Sequence, residues 1–495
     1  MKKLTILNES SSSLSGKGVS AIPTGMATRG EYKGKIAFVT LGCAKNQVDS
    51  EVMMGSLIHS GYECVAQVED ADIAVVNTCG FLEGAVEEGI DTILDISELK
   101  QNRLRKLIVA GCMVERYGES LRESMPEVDH FIGTNDLLRV VSSVEDGYES
   151  PLQDGGRPYF LYDDTLPRYL QSGEISAYVK ISEGCDRPCT FCIIPRIRGA
   201  MRSRTPDSVV AEIQNLASRG VREVNLVGQD LTDYGRDLGR KMRNDGEAEG
   251  SVPTLAELLW RIERETDIPW VRLFYAYPRG INKELLMAIQ NCSRVVSYLD
   301  LPFQHVNEDL LKSMKRPLGK YAPREIARYI RSEVPGIAFR TTFIVGYPGE
   351  TEEHISELEA FLREIRFESV GIFEYSPEEG TPAGAMDNQV PSEVKRERRE
   401  YLMEVQRSLV QEKLHGLIGK RSKVLIQGVH PESELLWVGR SEFQGPEVDG
   451  ETIINDVHGD IELSAQHVGA FGIVEFTEVA GYDLIGTLVE ICPDY

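Results

Sequence analysis

The sequence predicts a multidomain α/β protein with three structured parts. An open parallel α/β domain comes first, a partial (β/α)6 barrel follows, and a small antiparallel β-barrel ends the chain. Short apolar runs alternate with helical stretches through residues 35–150 and again through residues 174–390. Short alternating runs punctuated by Gly and Pro fill residues 419–495. A length of 495 residues suits about three domains.

Composition indicates a globular protein and limits the classes of partner that it is expected to bind. Hydrophobic residues make up 41% and charged residues 27% of the chain, which is ordinary for a globular protein. The formal net charge of −24 opposes binding to nucleic acid and favours basic partners. No run of about 18 apolar residues is present, so no membrane span is expected. Nine cysteines are too few for a disulfide scaffold, and six of them lie in motifs that need reduced thiols, which predicts a cytoplasmic protein.

The N-terminal part begins with a polar stretch. Residues 1–34 are rich in Ser and Gly and lack a sustained apolar run, which predicts a disordered tail and not a signal peptide. Residues 35–150 then form the first domain, and residues 151–173 are expected to be a linker. The apolar pattern predicts strands over 36–41, 71–76 and 105–110, with helices over 49–60 and 84–99.

A cysteine follows each of these three strands. Cys43, Cys79 and Cys112 occupy the same place in successive strand–helix repeats. The carboxyl ends of parallel strands meet at the edge of a sheet where ligands bind, so the three thiols are expected to converge. This placement indicates a three-cysteine cluster site, with small buried core residues as the alternative. Three further cysteines lack such placement and are expected to be ordinary core or surface thiols.

The predicted partial barrel, residues 174–390, carries a second cysteine set. Six strand–helix units are fewer than the eight of a closed barrel. The loop after the first strand holds Cys185, Cys189 and Cys192 in the spacing C-x3-C-x2-C. This spacing indicates an iron–sulfur cluster, because thiolates bind such clusters. A cubane cluster has four irons, so three thiolates leave one iron open, and that iron can chelate the amino and carboxylate groups of S-adenosylmethionine (SAM). A zinc site or a disulfide pair is the alternative, although no second cysteine pair or nearby His follows.

The C-terminal part is strongly acidic. A charged connector helix is expected within residues 391–418, over residues 392–414. Residues 421–495 contain three Lys and Arg but fourteen Asp and Glu. Such a surface is expected to bind a basic protein, and the alternative is that the acids only maintain solubility. The acids considered for this surface are Glu432, Glu434, Glu447, Asp449, Glu451 and Asp456.

With both cysteine sets and the terminal barrel in place, the chain from about Lys35 resembles the methylthiotransferase family. That family combines an N-terminal cluster domain, a central radical-SAM domain and a C-terminal TRAM domain. The segment 41–51, Leu-Gly-Cys-Ala-Lys-Asn-Gln-Val-Asp-Ser-Glu, is similar to the RimO form of the first motif. The tRNA-modifying MiaB form usually has Gly-Cys-Gln-Met-Asn there. The segment 181–195 with Arg198 also resembles RimO, whereas Ala44 stands where proline is common.

The resemblance implies a radical enzyme that methylthiolates the β-carbon of an aspartate in small-subunit ribosomal protein 12. It implies two [4Fe-4S] clusters, one for each cysteine set, and SAM as both methyl donor and radical source. It also implies an electron donor as a partner. A tRNA methylthiotransferase is the alternative enzyme, but it needs a basic RNA-binding surface, so tRNA is not expected as a partner. The alternative outside the enzymes is a protein without catalytic activity that carries an iron–sulfur cluster, or an RNA-binding module with a structural metal.

Four residues are predicted to bind SAM. By the resemblance, Phe191 is expected beside the adenine, with loop packing as the alternative. Gln229 ends a predicted strand and is a second candidate, with a structural hydrogen bond as the alternative. Gly346 and Glu350 belong to a Gly-Tyr-Pro-Gly-Glu segment that is expected either to line the adenosine pocket or to form only a tight strand–helix turn.

A few polar residues near these motifs have open roles. Arg198, Arg202 and Arg204 are candidates to hold carboxylates, and a solvated basic loop is the alternative. His305 is a lone histidine, which favours a structural role over a catalytic one. No catalytic side chain is assigned from the sequence.

Overall fold

The computed structural model describes residues 32–148, 150, 161–170, 174–244, 252–316, 322–459 and 461–492. Most of the predicted tail and of the expected linker therefore lies outside the described residues. The chain forms two compact units. The first contains the residues up to Glu174 together with Ser182–Arg187 and Ile193–Arg204. The second contains Ile175–Ile181, Pro188–Cys192 and the chain from Thr205 onwards.

A five-stranded parallel sheet forms the centre of the first unit. Its strands are β1 (Gly34–Thr40), β2 (Tyr62–Cys64), β3 (Ile73–Thr78), β4 (Lys106–Gly111) and β5 (His130–Ile132). They are arranged in the order β2-β1-β3-β4-β5, and every neighbouring pair is parallel. The open parallel α/β prediction is confirmed. The sequence did not indicate β2 and β5, because three residues are too few to show a periodic pattern.

Helices cover both faces of this sheet. They are α1 (Ala44–His59), α2 (Glu83–Ser97), α3 (Cys112–Ser124) and α4 (Val140–Asp146). Ile36 and Phe38 pack in one apolar cluster, while Ala37 and Val39 pack in another. Burial on both faces explains the continuous apolar run of β1. Helix α1 begins at Ala44, five residues before the expected start, because its first turn, Ala-Lys-Asn-Gln, carries no apolar periodicity.

An open six-stranded parallel sheet forms the centre of the second unit, which confirms the six predicted strand–helix units. It begins with β6 (Ser176–Lys180), after which β7 (Ser182–Glu183) and β8 (Arg202–Ser203) form a short hairpin in the first unit. The sheet continues with β9 (Glu223–Val227), β10 (Trp270–Leu273), β11 (Val295–Asp300), β12 (Ala338–Val345) and β13 (Ser369–Glu374).

Helices follow the strands of this sheet. They are α5 (Ile194–Ile197, in the first unit), α6 (Pro206–Ser218), α7 (Arg236–Asn244), α8 (Leu255–Glu265), α9 (Lys283–Asn291), α10 (Glu308–Ser313), α11 (Pro323–Glu333), α12 (Glu352–Ile365) and α13 (Ser392–His415). Thr254 caps α8 in a capping box with Glu257, which satisfies backbone donors at the helix start. Helix α7 lies in a polar stretch between β9 and β10, and residues 245–251 lie outside the described residues.

A closed five-stranded barrel ends the second unit. Its strands are β14 (Arg421–His430), β15 (Ser433–Ser441), β16 (Thr452–Val457), β17 (Phe471–Ala480) and β18 (Asp483–Ile491). The barrel prediction is confirmed, but β16 was missed, and it pairs in parallel with β18. The purely antiparallel expectation is therefore wrong for this pair. Two exposed polar residues, Asn455 and Asp456, interrupt the apolar pattern of β16.

Buried charges fix this barrel against the six-stranded sheet. Glu223 of β9 accepts hydrogen bonds from Arg272 of β10 and from Arg440 of β15, and the three side chains are almost fully buried. Asp449, in the loop after β15, accepts a 2.8 Å hydrogen bond from the Tyr298 hydroxyl on β11. The second unit is therefore held together by specific polar contacts as well as by apolar packing.

Candidate functional site

The three N-terminal cysteines lie at one edge of the five-stranded sheet. Cys43 is the N-cap of α1, Cys79 directly follows β3, and Cys112 is the first residue of α3 after β4. Gly42 has a φ of +100°, and a Cβ added there would lie 2.8 Å from the Cβ of Cys79. The backbone after β1 therefore lies against the side chain after β3, as expected if the cysteines converge at this edge.

The three thiols are in different electrostatic surroundings. Burial would raise the pKa of Cys43, but the cations of Lys45 and Arg198 and the N–H groups of Asn46 and Lys45 hold it below its usual value. Burial raises the pKa of Cys79, and the nearby Cys43 adds to this. Burial also raises the pKa of Cys112 to about 12, although Arg198 opposes the shift. Metal binding to this set would therefore release protons, since thiols ligate as thiolates.

Arg198 is a buried cation that is hydrogen-bonded to this cysteine set. Its Nη2 and Nε donate to the Cys112 sulfur at 3.1 and 3.3 Å. Its Nη1 donates to Asp49 at 2.7 Å and to Glu183 at 3.2 Å, and the side chain is only 3% exposed. The prediction that Arg198 holds carboxylates is confirmed, and the solvated-loop alternative is wrong for this residue.

The neighbouring arginines differ from Arg198. Arg204 is buried, and its guanidinium stacks at 4.4 Å from the ring centroid of Tyr162. Arg202 is half-buried and donates to the backbone oxygens of Arg198 and Ala200. The solvated-loop alternative is therefore also wrong for Arg204, which is held by an aromatic ring.

The second cysteine set occupies the loop that follows β7. The backbone N–H of Arg187 donates to the Cys185 sulfur at 3.4 Å. Arg316 donates from Nη1 to the Cys189 sulfur at 3.5 Å and from Nη2 to the Pro302 oxygen at 2.7 Å. The Arg316 guanidinium also stacks on the ring of Tyr277 at 4.3 Å. N–H donors directed at sulfur are what a metal-bound thiolate accepts.

Both cysteine sets fit iron–sulfur clusters by the chemistry of their donors. Each set supplies three thiols, and each includes a sulfur that accepts a hydrogen bond from an arginine. Within the described ranges, no group of three or more His, Cys, Asp or Glu side chains is arranged to hold a single metal ion. The cysteines of a cluster bind different irons and so lie farther apart than the ligands of one ion.

Two of the predicted SAM residues lie near the ends of the strands in the second unit. Phe191 is half-buried and packs against an apolar cluster that includes Tyr347 and Met314. Gln229 is half-buried two residues after the end of β9. Their contact with SAM stays a prediction.

Gly346 and Glu350 make contacts within the chain. The Gly346 N–H donates to Glu350 at 2.7 Å, and Arg398 of α13 donates to the same carboxylate at 2.9 Å. A Cβ at Gly346 would collide with the side chain of Lys395. These contacts support the tight-turn alternative, because both residues of the turn contact side chains of the connector helix α13. The predicted contact of these two residues with SAM gains no support here and stays a prediction.

His305 is buried and hydrogen-bonded within the chain, which agrees with the structural role expected for it. It is fully buried, its Nδ1 accepts a 3.0 Å hydrogen bond from the Asn307 N–H, and its Nε2 lies 3.5 Å from a Glu350 oxygen. Sequence reasoning missed Arg316 and Asn46, and it included Tyr347 only as a member of the Gly-Tyr-Pro-Gly-Glu segment. The Tyr347 hydroxyl lies 2.9 Å from the Thr190 hydroxyl in the cysteine loop. Asn46 belongs to the first motif and could have been noticed there, but no local pattern points to Arg316.

None of the helices in the part of the chain that the structure describes is long and apolar enough to cross a membrane. Three segments match known families. Residues 35–133 match the uncharacterised protein family UPF0004, residues 179–362 match the radical SAM superfamily, and residues 418–489 match the TRAM domain. These segments correspond to the five-stranded sheet, the six-stranded sheet and the terminal barrel.

The fold is shared with a solved radical-SAM enzyme. The structure of the radical S-adenosylmethionine methyltransferase TsrM from Kitasatospora setae, with tryptophan substrate and a SAM analogue bound, superposes with a TM-score of 0.51. The superposition covers 71% of this chain and 75% of that chain at 16% identity. At this identity the similarity concerns the fold alone.

Curated relatives match almost the whole chain. The ribosomal protein uS12 methylthiotransferase RimO of Solibacter usitatus is 44% identical over 92% of this chain and 95% of that protein. The protein of the same name from Anaeromyxobacter sp. strain K is 45% identical over 91% of this chain and 92% of that protein. The one from Geobacter sulfurreducens is 42% identical over 92% of this chain and 99% of that protein. Together with the three matching domains, these relatives show that the chain belongs to the RimO family of methylthiotransferases.

Proposed function

We propose that this chain is a radical-SAM methylthiotransferase that modifies the β-carbon of an aspartate in ribosomal protein uS12. The observation that carries the proposal is the meeting of Cys43, Cys79 and Cys112 at one sheet edge, beside the buried Arg198. The same chain holds the separate C-x3-C-x2-C loop. One set of three cysteines suffices for radical initiation, so a second set indicates a second task. Curated relatives with the RimO name support this function over a tRNA methylthiotransferase.

Two [4Fe-4S] clusters are the cofactors that fit these cysteines. Cys185, Cys189 and Cys192 would hold the radical cluster, and Cys43, Cys79 and Cys112 would hold a second cluster, called the auxiliary cluster below. When bound, the radical cluster would pass an electron to SAM, SAM would supply the radical and the methyl group, and the auxiliary cluster would hold the sulfur that receives this methyl group. A C–H bond at the aspartate β-carbon is too weakly acidic for general-base removal, which is why radical chemistry suits the substrate.

The residues of this chain bind and orient these groups. Arg316 directs a donor at Cys189 and is held in place by the Tyr277 ring and the Pro302 oxygen. Phe191 and Gln229 are proposed to contact SAM near the strand ends. An external electron donor is proposed as a partner, because a radical cluster that passes an electron to SAM must be reduced again before the next turnover.

The substrate is proposed to be recognised through the acidic terminal barrel. Ribosomal proteins that contact RNA are basic, and the barrel carries fourteen acids against three cations over residues 421–495. Glu432, Glu434 and Asp456 are exposed there. Asp449 is not available to a partner, since its side chain is only 7% exposed and bonds Tyr298 within the chain. The acidic surface therefore excludes Asp449, contrary to the sequence-based expectation.

Mass spectrometry of uS12 tests the proposed function. We expect uS12 from cells that carry the gene to contain one aspartate in which a methylthio group replaces a hydrogen. The protein from cells lacking the gene is expected to be unmodified, and the gene for this chain should restore the modification in the cytoplasm. Unmodified uS12 in cells that express the active chain, together with loss of methylthio groups from tRNA on deletion, would favour the tRNA enzyme instead.

A further inference from the structure

Arg198 divides its hydrogen-bond donors between two kinds of acceptor. Two of its N–H groups point at the sulfur of Cys112, at 3.1 and 3.3 Å. The others reach the carboxylates of Asp49 and Glu183 and the side-chain oxygen of Asn46. An arginine present only to neutralise two buried acids would direct its planar fork at those acids. The fork of Arg198 is directed in part at a proposed cluster ligand.

The three anchors of Arg198 come from two separate segments of the chain. Asp49 and Asn46 lie on the first turns of α1, and Glu183 lies on β7, two residues before Cys185. Asn46 is itself fixed, because its Nδ2 donates to the backbone oxygens of Leu41 and Thr78 at 2.9 and 3.0 Å. The guanidinium therefore has little freedom to leave the Cys112 sulfur.

We propose that Arg198 is the positioning residue of the auxiliary cluster, hydrogen-bonded to its Cys112 ligand and raising the reduction potential of that cluster. The inference rests on the proposed function, since it presumes a cluster at Cys43, Cys79 and Cys112. Hydrogen bonds and positive charge at a ligating sulfur withdraw electron density from the cluster, which makes the reduced form easier to reach. Asp49, Glu183 and Asn46 act through Arg198 by fixing its orientation.

The chain offers a matched control for this role. Arg168 is also buried in the first unit, and it pairs with Glu51 on the same helix α1. Arg168→Lys and Arg198→Lys therefore make the same chemical change at two buried arginines of one unit. Arg198→Lys keeps the positive charge but loses the planar fork that reaches the sulfur.

The test uses the full chain with Cys185, Cys189 and Cys192 replaced by Ala, so that one cluster remains. Iron content is measured first, after anaerobic reconstitution. Absence of bound iron in this background would contradict the proposed function itself. With iron present, the midpoint potential of the cluster is measured by a redox titration followed by electron paramagnetic resonance.

We expect Arg198→Lys to bind as much iron as the parent and to shift the midpoint potential to a more negative value, while Arg168→Lys leaves it unchanged. An unchanged potential in Arg198→Lys, or an equal shift in both variants, overturns the inference. If Arg198→Lys does not fold, Asn46→Ala takes its place, because it keeps the guanidinium and the net charge but removes one anchor. A negative shift in Asn46→Ala supports the inference, and an unchanged potential overturns it.

Discussion

At the residue scale, the two cysteine sets lie in different parts of the chain and contact different arginines, Arg198 at Cys112 and Arg316 at Cys189. Lys45 and Arg198 lower the pKa of Cys43 against the effect of burial. Cys64 belongs to neither set, and burial raises the pKa of its thiol to about 11. A thiol in this second environment stays protonated and unreactive near neutral pH. This difference distinguishes Cys43 from Cys64, whereas burial raises the pKa of Cys112, in the same set as Cys43, to about 12.

Replacement of Cys43, Cys79 and Cys112 together by Ala is expected to separate the two activities. The variant should still cleave SAM reductively, because the Cys185 loop is intact, but it should attach no sulfur to uS12. Cleavage is measured as 5′-deoxyadenosine and attachment as the mass of uS12. The control replaces Cys64, Cys292 and Cys492 and should retain both activities. Sulfur attachment by the first variant at the wild-type rate would rule out the assignment.

Gly346 is predicted to be a structural residue of the turn that seats α13. Its φ is +75°, and a Cβ would collide with Lys395, whose Nζ donates to the Tyr375 oxygen at 2.8 Å. Gly346→Ala should therefore lose more stability than the roughly 1–2 kcal/mol of an unfavourable φ alone. Gly336→Ala is the control, since its φ is +82° and its Cβ would meet no atom within 4 Å.

Urea unfolding of these two glycine variants measures the difference. Equal losses of stability would show that the Lys395 contact does not matter. The affinity for SAM is measured in the same two variants. A loss of SAM affinity in Gly346→Ala that exceeds the loss in Gly336→Ala, at equal stability, would favour a ligand-binding role for this turn.

The positions of the six cysteines could be predicted because each follows a strand or lies in a local motif. The role of Arg198 could be stated only as a choice between two possibilities, since its partners Asp49 and Glu183 lie in other segments of the chain. The contacts of Gly346 and Glu350 were not visible for the same reason. Their partners Lys395 and Arg398 follow in the sequence only after another helix and strand.

At the scale of elements, a buried ion cluster fastens the terminal barrel to the six-stranded sheet. Burial would raise the pKa of Glu223, but Arg440 and Arg272 lower it from its ordinary 4.5 to about 2. The side chains of Glu223 and Arg272 are fully buried. Removing one partner of such a cluster leaves uncompensated charge in the interior, which is costly.

Glu223→Gln is expected to lower the free energy of unfolding by about 3 kcal/mol at neutral pH. The folded pKa lies below the unfolded value, so the carboxylate contributes fully above about pH 4.5 and less as the pH falls toward 2. The stability difference between wild type and variant should therefore shrink as the pH is lowered. Urea unfolding at several pH values measures this.

Glu265→Gln is the control for this pH dependence. Glu265 pairs with Arg261 at the protein surface, where an ion pair contributes less than about 1 kcal/mol. Its replacement should have a small effect at every pH. A Glu223→Gln variant with a similarly small and pH-independent effect would contradict the structural role of the cluster.

The long strands and helices could be predicted because their apolar periodicity is local. Strands β2 and β5 were too short for this, and β16 was interrupted by polar residues. The parallel pairing of β16 with β18 depends on how the barrel closes, which involves residues about 30 positions apart. Such long-range closure leaves no local signal.

At the scale of the whole molecule, charge is the feature that most concerns the partner. The net charge of −24 should attract a basic protein over a range set by the salt concentration. The charge could be counted from the sequence, but its distribution could not. Asp449 is used inside the chain, whereas Glu432 and Glu434 are exposed at the β14–β15 hairpin.

Glu432→Lys combined with Glu434→Lys is expected to weaken binding to uS12 by roughly tenfold at low salt. The matched control, Glu393→Lys combined with Glu397→Lys, makes the same charge change on exposed positions of α13. Binding is measured at several salt concentrations, and SAM cleavage without substrate should be unaffected in both. Equal weakening in both variants would mean that net charge alone, and not the barrel, attracts the partner.

The iron content of three proteins tests the central claim, two separate cluster sites in one chain, most directly. After anaerobic reconstitution, the wild type is expected to hold about eight irons. The variant lacking Cys43, Cys79 and Cys112 and the variant lacking Cys185, Cys189 and Cys192 are each expected to hold about four. A wild type that binds no more iron than either variant would contradict the two-site account.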